Sequence, residues 1–557
     1  MARRVRLRPW QKRALDLFEA SDEPDFLTVA TPGAGKTTFA LCAAVGEIAR
    51  THGLRLVVVA PTSHLKLQWA DAAARFGLSL EPRWSADGGR LPADVHGIVT
   101  TYQQVASNPD VLRALARRSV VVLDEIHHAG DDRAWGDAVR RAFEVSPRRL
   151  ALSGTPFRSD TQAIPFVRYV IDEARPDFEY GYADALRDGR VVRPVYFPRI
   201  NGFMEWVAPD GSVAAAGFDD ALDRVASAQR LRTALSLEGE WLPTVLLQAN
   251  ERLTTIRRSQ PDAGGLVIAA DQDHAQGIAD ILRYRCGVKA TVAVSDDPMS
   301  STRIARFAGS ADPWIVAVRM VSEGVDIPRL RVGVWATTTS TDLFFRQAVG
   351  RFVRWTRGVP RQKAYLFIPD DPRLRTWAMQ IADARRHSLR KKSEDAEGDG
   401  PAIDDGTAFD ELRHEEDRGE QLSMFAALSA VVTGDAEESS VFHLDDDVLD
   451  RLDRDDAADA ATADAALDLA LPPLPGAAVP VGADPADADV PTPREHRLEL
   501  RARNSRLVAE LTRKTGLSHA QVNGQLNRLV GLRRVDEATV AQLGRRARQA
   551  EEWLAKA

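Results

Sequence analysis

The chain has 557 residues, 44% apolar and 27% charged, the balance of a soluble globular protein; at about 100–200 residues per domain its length predicts three or four domains. Two cysteines, Cys42 and Cys286, exclude a disulfide framework and a four-cysteine zinc site and point to a reducing compartment. No apolar run reaches the roughly 20 residues that span a bilayer, and the start Met1-Ala2-Arg3-Arg4 has no signal-peptide core, so a cytoplasmic protein with no membrane partner is expected. The net charge of −7 hides an asymmetry: residues 1–392 sum to +10, 393–495 to −24 and 496–557 to +7. An acidic middle therefore masks two basic parts, and nucleic acid stays open as a partner.

Residues 1–195 alternate short apolar runs with helix-like segments. The runs Phe26–Ala30, Leu56–Ala60, Gly97–Thr101, Val120–Leu123 and Leu150–Ser153 are nearly continuous, the pattern of a parallel sheet buried on both faces. The first leads into Ala30-Thr31-Pro32-Gly33-Ala34-Gly35-Lys36-Thr37-Thr38. Small residues there let backbone N–H groups close around phosphates, with a helix starting behind them. Lys36 would reach the β and γ phosphates of ATP and Thr37 would ligate Mg²⁺. Pro32, Gly33, Ala34, Gly35 and Thr38 complete the expected nucleotide loop, although Ala30 stands where the strict pattern has Gly. The fourth run ends in Asp124-Glu125-Ile126-His127-His128. A carboxylate just past a buried strand is the usual Mg²⁺ partner of such a loop, so Asp124 is expected to hold the metal and Glu125 to polarise the attacking water.

Residues 196–392 repeat the theme. Strands are expected at Gly265–Ala270, Ala290–Val294, Trp314–Val318, Val332–Ala336 and Ala364–Ile368, and helices at Asp273–Arg285, Thr302–Phe307 and through much of Asp219–Ser259. Residues 393–495 are rich in Asp, Ala and Pro, a composition that argues a largely disordered linker, interrupted by apolar islands at Leu422–Val432 and Val441–Leu452. Residues 496–557 return to helical periodicity. Thr515-Gly516-Leu517-Ser518 marks a stop, a turn and a new N-cap, and a further helix is expected from Glu537 to Trp553.

These motifs, in this order, resemble the superfamily 2 helicases and translocases, most closely the branch with excision-repair helicases and type III restriction motor subunits. Asp124-Glu125-Ile126-His127 resembles motif II in its DEAH-like form, and Ala30–Thr37 resembles motif I, where Ala at the first position is common in the superfamily. Leu7-Arg8-Pro9-Trp10-Gln11 is similar to the adenine-recognition segment, which implies nucleotide contacts for Trp10 and Gln11. Val59-Ala60-Pro61-Thr62 and Thr100-Thr101-Tyr102 resemble motifs Ia and Ib, which implies nucleic-acid contacts for Pro61, Thr62 and Thr101. Ser153-Gly154-Thr155-Pro156 resembles motif III. Ser322-Glu323-Gly324-Val325-Asp326-Ile327-Pro328 resembles motif V, placing Gly324 and Asp326 near the cofactor. Gln347-Ala348-Val349-Gly350-Arg351-Phe352-Val353-Arg354 resembles motif VI. Two arginines three apart could point together from one helical face at the γ-phosphate, so Gln347, Arg351 and Arg354 join Glu125 as expected catalytic residues, with an arginine finger acting across a domain cleft.

The resemblance implies two tandem RecA-like parallel-sheet domains (1–195 and 196–392), followed by the acidic linker (393–495) and a small α-helical domain (496–557). It implies an ATP- and Mg²⁺-dependent helicase or translocase, with DNA favoured over RNA. The alternatives are a remodeller that tracks duplex without unwinding it and a motor subunit of a restriction or defence complex. In the tail, Arg513 and Lys514 belong to a helix–turn–helix that would contact phosphates, or to a small bundle that docks on a protein. In the linker, Gln421, Leu422, Met424 and Phe425 resemble a sliding-clamp peptide, or belong to a stretch that packs on the second domain.

Overall fold

The computed structural model describes residues 4–86, 91–130, 133–154, 163–170, 173–208, 211–294, 299–318, 327–339, 341–356, 358–359, 362–397, 426–431, 467–472 and 493–556. They form two units. One comprises residues 1–30, 35–179 and 465–557, the other 31–34 and 180–464.

The first unit is built on a seven-stranded sheet, in the order Phe178–Tyr180, Asp25–Ala30, Arg148–Ser153, Ser119–Leu123, Arg55–Ala60, Gly97–Thr101 and Leu80–Glu81. From Asp25–Ala30 to Leu80–Glu81 every pairing is parallel. The central strands, buried at every position or nearly so, are the expected apolar runs. Covered on both faces by helices, such strands do not alternate polar with apolar residues. The strand before the phosphate loop and the strand before Asp124 flank Arg148–Ser153. Three neighbouring carboxyl ends therefore bring Ala30, Gly154 and Asp124 to one rim of the sheet, where open parallel sheets bind ligands.

The second unit holds a parallel sheet in the order Val195–Tyr196, Ala364–Pro369, Leu330–Ala336, Gly264–Ala269, Trp314–Val318 and Ala290–Ala293, with Arg199–Ile200 also paired to Ala364–Pro369. Helices Arg224–Ala234, Trp241–Arg257, Gln272–Arg285 and Ser300–Ala308 cover the helical expectations. The periodicity did not reveal an antiparallel sheet in which Phe203–Val207 lies between Val213–Gly217 and Ala426–Val431. Its third strand comes from the apolar island at Leu422–Val432, within the segment read as a largely disordered linker.

A second piece of that segment is also ordered. Leu467–Ala470 pairs antiparallel with Arg4–Leu7 in the first unit. Two stretches of residues 393–495 are thus strands on different sheets: Ala426–Val431 falls within the apolar island expected at Leu422–Val432, whereas Leu467–Ala470 lies outside both islands. The clamp-like Gln421, Leu422, Met424 and Phe425 lie outside the described residues, directly before the strand Ala426–Val431. No helix among the described residues is long and apolar enough to cross a membrane.

Three helices, Pro493–Thr515, His519–Leu529 and Val540–Lys556, close the chain around two small cores. Val508, Leu511, Val522, Leu526 and Ala550 form one; Leu500, Ala538 and Leu543 form the other. These helices are fixed to the first unit's sheet edge. Arg497 pairs with Asp94 at 2.7 Å, the backbone N–H of Val540 donates to the same carboxylate at 2.8 Å, and Arg501 lies 3.6 Å from Glu81.

Candidate nucleotide site

The phosphate loop leaves the strand Asp25–Ala30 and ends at the helix Lys36–Arg50. Gly33 (φ +83°) and Gly35 (φ +96°) take the left-handed conformation, which a side chain adopts only with strain. Gly35 is constrained twice: a Cβ there would lie 2.7 Å from Nε2 of Gln11. It is also the N-cap and has no side chain to offer; the Thr38 N–H donates to the Gly35 carbonyl at 3.1 Å, which leaves the N–H groups of Lys36 and Thr37 at the helix start to face phosphate oxygens.

Gln11 is spent on this loop. Its Nε2 donates to the Gly35 carbonyl at 2.9 Å and its Oε1 accepts from the Arg8 N–H at 2.8 Å. The neighbouring Trp10, expected to touch nucleotide, is wholly buried and packs against Phe39 and Phe178, each ring 6.1 Å away. That expectation is corrected. The helix Pro9–Ala20 needs an apolar anchor on the sheet, and the indole supplies it.

Lys36 extends along the loop, where its Nζ donates to the Ala30 carbonyl at 3.1 Å and lies 3.3 Å from Oε1 of Glu125. Glu125 itself sits at φ +46°, a conformation costing a non-glycine residue of order 1 kcal/mol and found mostly at functional positions. Its Oε2 accepts the Gly154 N–H at 2.8 Å, and Nδ1 of His127 lies 3.7 Å from it. His127 is buried, with Ser153 Oγ 3.5 Å from the same nitrogen. Motif II and the start of motif III are thus joined through Glu125 and His127. Thr155 and Pro156 lie outside the described residues.

Asp124 is held from three sides. Its N–H donates to the Val59 carbonyl at 2.9 Å, its own carbonyl accepts from the Tyr102 hydroxyl at 2.9 Å, and its Oδ2 accepts from the indole N–H of Trp69 at 2.7 Å. The two acids are driven apart. Burial and the adjacent Glu125 charge push the Asp124 carboxyl up to about 6, against the pull of Trp69, Lys36 and His128. Burial would also raise Glu125, but Lys36, His127 and the Gly154 N–H outweigh it and hold it down to about 2. Neighbouring carboxylates separated in this way can take different roles.

A cleft of about 280 Å³ opens beside them, lined by Thr37, Thr38, Leu65, Trp69, Arg75 and Asp124 among others. Thr37 and Asp124 share this wall, and Trp69 occupies only one of the two carboxylate oxygens. One hydroxyl and one carboxylate suit Mg²⁺, a hard cation that keeps water and phosphate oxygens in its shell. Trp69 did not stand out in the sequence. It lies 55 residues from its partner, and the only signal was an apolar residue of the helix after motif Ia.

Of the remaining expected residues, Arg354 has its side chain against the phosphate loop, Cδ 3.0 Å from where a Cβ on Gly33 would lie. Gln347 and Arg351 lie on the helix Asp342–Phe352 of the second unit. Arg354 lies beyond that helix, in an antiparallel bridge with Val192, because the Arg193 N–H captures the Val353 carbonyl at 2.8 Å. The two arginines therefore do not share one helical face. Gly324 and Asp326 lie outside the described residues. Pro61 and Thr62, partly exposed, come directly after the strand Arg55–Ala60. Thr101 is buried, and its hydroxyl caps the helix Tyr102–Ser107 by accepting from the Gln104 N–H. Its side chain is thus committed to the helix start, not displayed for nucleic acid. Arg513 and Lys514 are exposed at the end of the helix Pro493–Thr515.

Residues 4–158 match the family model described as "Type III restriction enzyme, res subunit". The chain is 46% identical over 432 residues to the uncharacterized protein Rv2917 of Mycobacterium tuberculosis, covering 76% of this chain and 70% of that protein. It is 47% identical over 393 residues to the uncharacterized protein ML1624 of Mycobacterium leprae, covering 69% of this chain and 65% of that one; the match thus spans about two thirds of these relatives' length. Among solved structures, helicase Lhr of Mycobacterium smegmatis, bound to single-stranded DNA and AMP-PNP, aligns with a TM-score of 0.42 at 14% identity, covering 68% of this chain and 48% of that one. With its res-subunit match and its two parallel-sheet domains, the chain belongs to the superfamily 2 helicases and translocases, in one family with these mycobacterial relatives.

Proposed function

We propose that this chain is a nucleic-acid-dependent ATPase that moves along or separates strands of DNA. The observation that carries the reading is the convergence of Lys36, Asp124 and Glu125 with the uncapped helix start behind Gly35, at the ends of the two strands that flank Arg148–Ser153. Lys36 exchanges Glu125 for the β and γ phosphates when nucleotide enters, since both are anions within its reach. Glu125, ionised and oriented by the Gly154 N–H, then accepts a hydrogen bond from the attacking water. Asp124 and Thr37 would hold Mg²⁺, which neutralises phosphate charge when bound. Arg351 and Arg354 are proposed to stabilise charge on the transferring phosphoryl group. The Gly154 contact offers a route by which the state of the nucleotide reaches motif III. DNA is favoured over RNA by the res-subunit likeness of residues 4–158.

The test is ATP hydrolysis by the wild type and by Lys36→Ala, without polymer and with single-stranded DNA, duplex DNA or RNA. Stimulation by DNA that the variant lacks is the expected result. Hydrolysis indifferent to every polymer would overturn the motor reading, and preferential stimulation by RNA would overturn the choice of track.

A further inference from the structure

The last three helices carry a surface that the nucleotide site does not use. Helix Pro493–Thr515 is joined to helix His519–Leu529 by Gly516, Leu517 and Ser518. Gly516 turns the chain at φ +70°. Ser518 then starts the second helix through a capping box in which it accepts from the Gln521 N–H, while the Gln521 side chain accepts from the Ser518 N–H at 2.9 Å. A three-residue turn with glycine between two packed helices is the connection used by helix–turn–helix units.

The second helix is held by one side only. Val522 and Leu526 are fully buried in the small core, whereas Gln521, Gln525 and Arg528 are exposed at i, i+4 and i+7. With the Gln521 side chain engaged in the cap, Gln525 and Arg528 present an amide and a guanidinium on this stripe, groups that pair with base edges. The helix is also fixed in place. Arg546, almost fully buried, donates to the side-chain oxygens of Asn504 and Asn527 at 2.9 and 3.0 Å and to that of Asn523. It thereby ties the second helix to the first and third without any carboxylate.

Charge is sorted in the same way. Arg497, Arg501 and Arg503 have carboxylate partners in Asp94, Glu81 and Glu551. Arg513 and Lys514 before the turn, and Arg533 and Arg534 after the second helix, are exposed and form no salt bridge among the described residues. Cations on both sides of a polar helix complement two phosphate strands bordering a groove.

We infer that residues 493–556 form a helix–turn–helix that binds duplex DNA. Helix His519–Leu529 enters the major groove, and Arg513, Lys514, Arg533 and Arg534 contact the flanking phosphates. B-form DNA is the occupant because its major groove admits a helix, whereas the deep, narrow groove of A-form RNA does not. Duplex binding by these helices requires no ATP hydrolysis.

The experiment uses the full chain without nucleotide. Binding of a fluorescent 30-base-pair DNA duplex is titrated at several KCl concentrations for the wild type and for a variant with Arg513→Gln, Lys514→Gln, Arg533→Gln and Arg534→Gln. The variant is expected to melt as the wild type does and to bind about tenfold or more weakly. Its slope of log K against log salt should flatten by about 0.9 for each phosphate charge no longer neutralised, up to about 3.6 in all. Equal affinity and slope in the two proteins would overturn the inference, as would equally tight wild-type binding to an RNA duplex of the same length. Loss of DNA binding in the variant supports it even if Lys36→Ala shows the hydrolysis reading to be wrong.

Discussion

Replacing Trp69 by Phe tests the least visible element of the nucleotide site. Trp69 is 2% exposed and Asp124 9% exposed, and the indole N–H reaches Oδ2 at 2.7 Å. Phe retains an aromatic ring in the wall but removes the donor. A hydrogen bond to a charged acceptor contributes about 1.5–3 kcal/mol, and leaving the buried oxygen unmatched costs on the same scale. In a unit of this size that corresponds to a fall of roughly 3–10 °C in melting temperature. The freed carboxylate also loses its fixed direction. If the whole interaction orients Asp124 toward Mg²⁺, the Mg²⁺ concentration that half-supports hydrolysis should rise by about ten- to hundredfold. The assay is a Mg²⁺ titration of ATP hydrolysis at fixed nucleotide excess, with Trp69→Leu as a variant that lacks both donor and ring. An unchanged Mg²⁺ midpoint in Trp69→Phe, with a loss confined to Trp69→Leu, would refute the hydrogen-bond argument and leave the indole as packing alone.

Gly35→Ala should abolish measurable ATP binding while leaving most of the fold. The methyl group would sit 2.7 Å from Gln11 Nε2 at φ +96°, and the left-handed strain alone is worth about 1–2 kcal/mol; nucleotide affinity equal to wild type, by calorimetry, would contradict this. A double-mutant cycle on Arg497→Met and Asp94→Asn should return a coupling of about 1.5–3 kcal/mol, since both partners are largely buried and the bond is charge-assisted. A coupling below about 0.5 kcal/mol, in the range of exposed pairs, would show that the C-terminal helices are not held to the sheet edge by this pair. Lys36→Ala should eliminate hydrolysis with every polymer, because no other cation lies in the loop; residual wild-type rates would remove Lys36 from the proposed mechanism.

Much of the molecule was legible because its signals are local. Phe26–Ala30, Val120–Leu123 and Leu150–Ser153 announce buried parallel strands by continuous apolarity, and the structure has strands there. The loop ending in Gly35-Lys36 and the turn around Gly516 are written in residues whose backbone preferences suffice to bend the chain. Spacing along such strands also brought Lys36 and Glu125 to one rim, since parallel strands deliver the loops at their carboxyl ends to the same edge.

Other features were decided by partners distant in sequence. Ala426–Val431 and Leu467–Ala470 lie in an acidic, low-complexity context, and they become strands because Phe203–Val207 and Arg4–Leu7 offer unpaired edges. An edge is a property of the assembled sheet, not of the segment that joins it. Trp10 reads as a nucleotide contact until the sheet closes over it. Thr101 reads as a surface hydroxyl until the following helix needs a cap. Arginine is ordinarily a surface residue, yet Arg193 and Arg329 lie buried and donate to backbone carbonyls at Leu330 and Pro328, and at Phe307, Asp262 and Asp312. Residue order alone dictates where the chain can bend, which strands can be buried and where phosphates can be bound. Which polar groups are spent on the protein's own backbone is set only in the folded chain, because a buried donor or acceptor must find whichever partner the fold brings within reach.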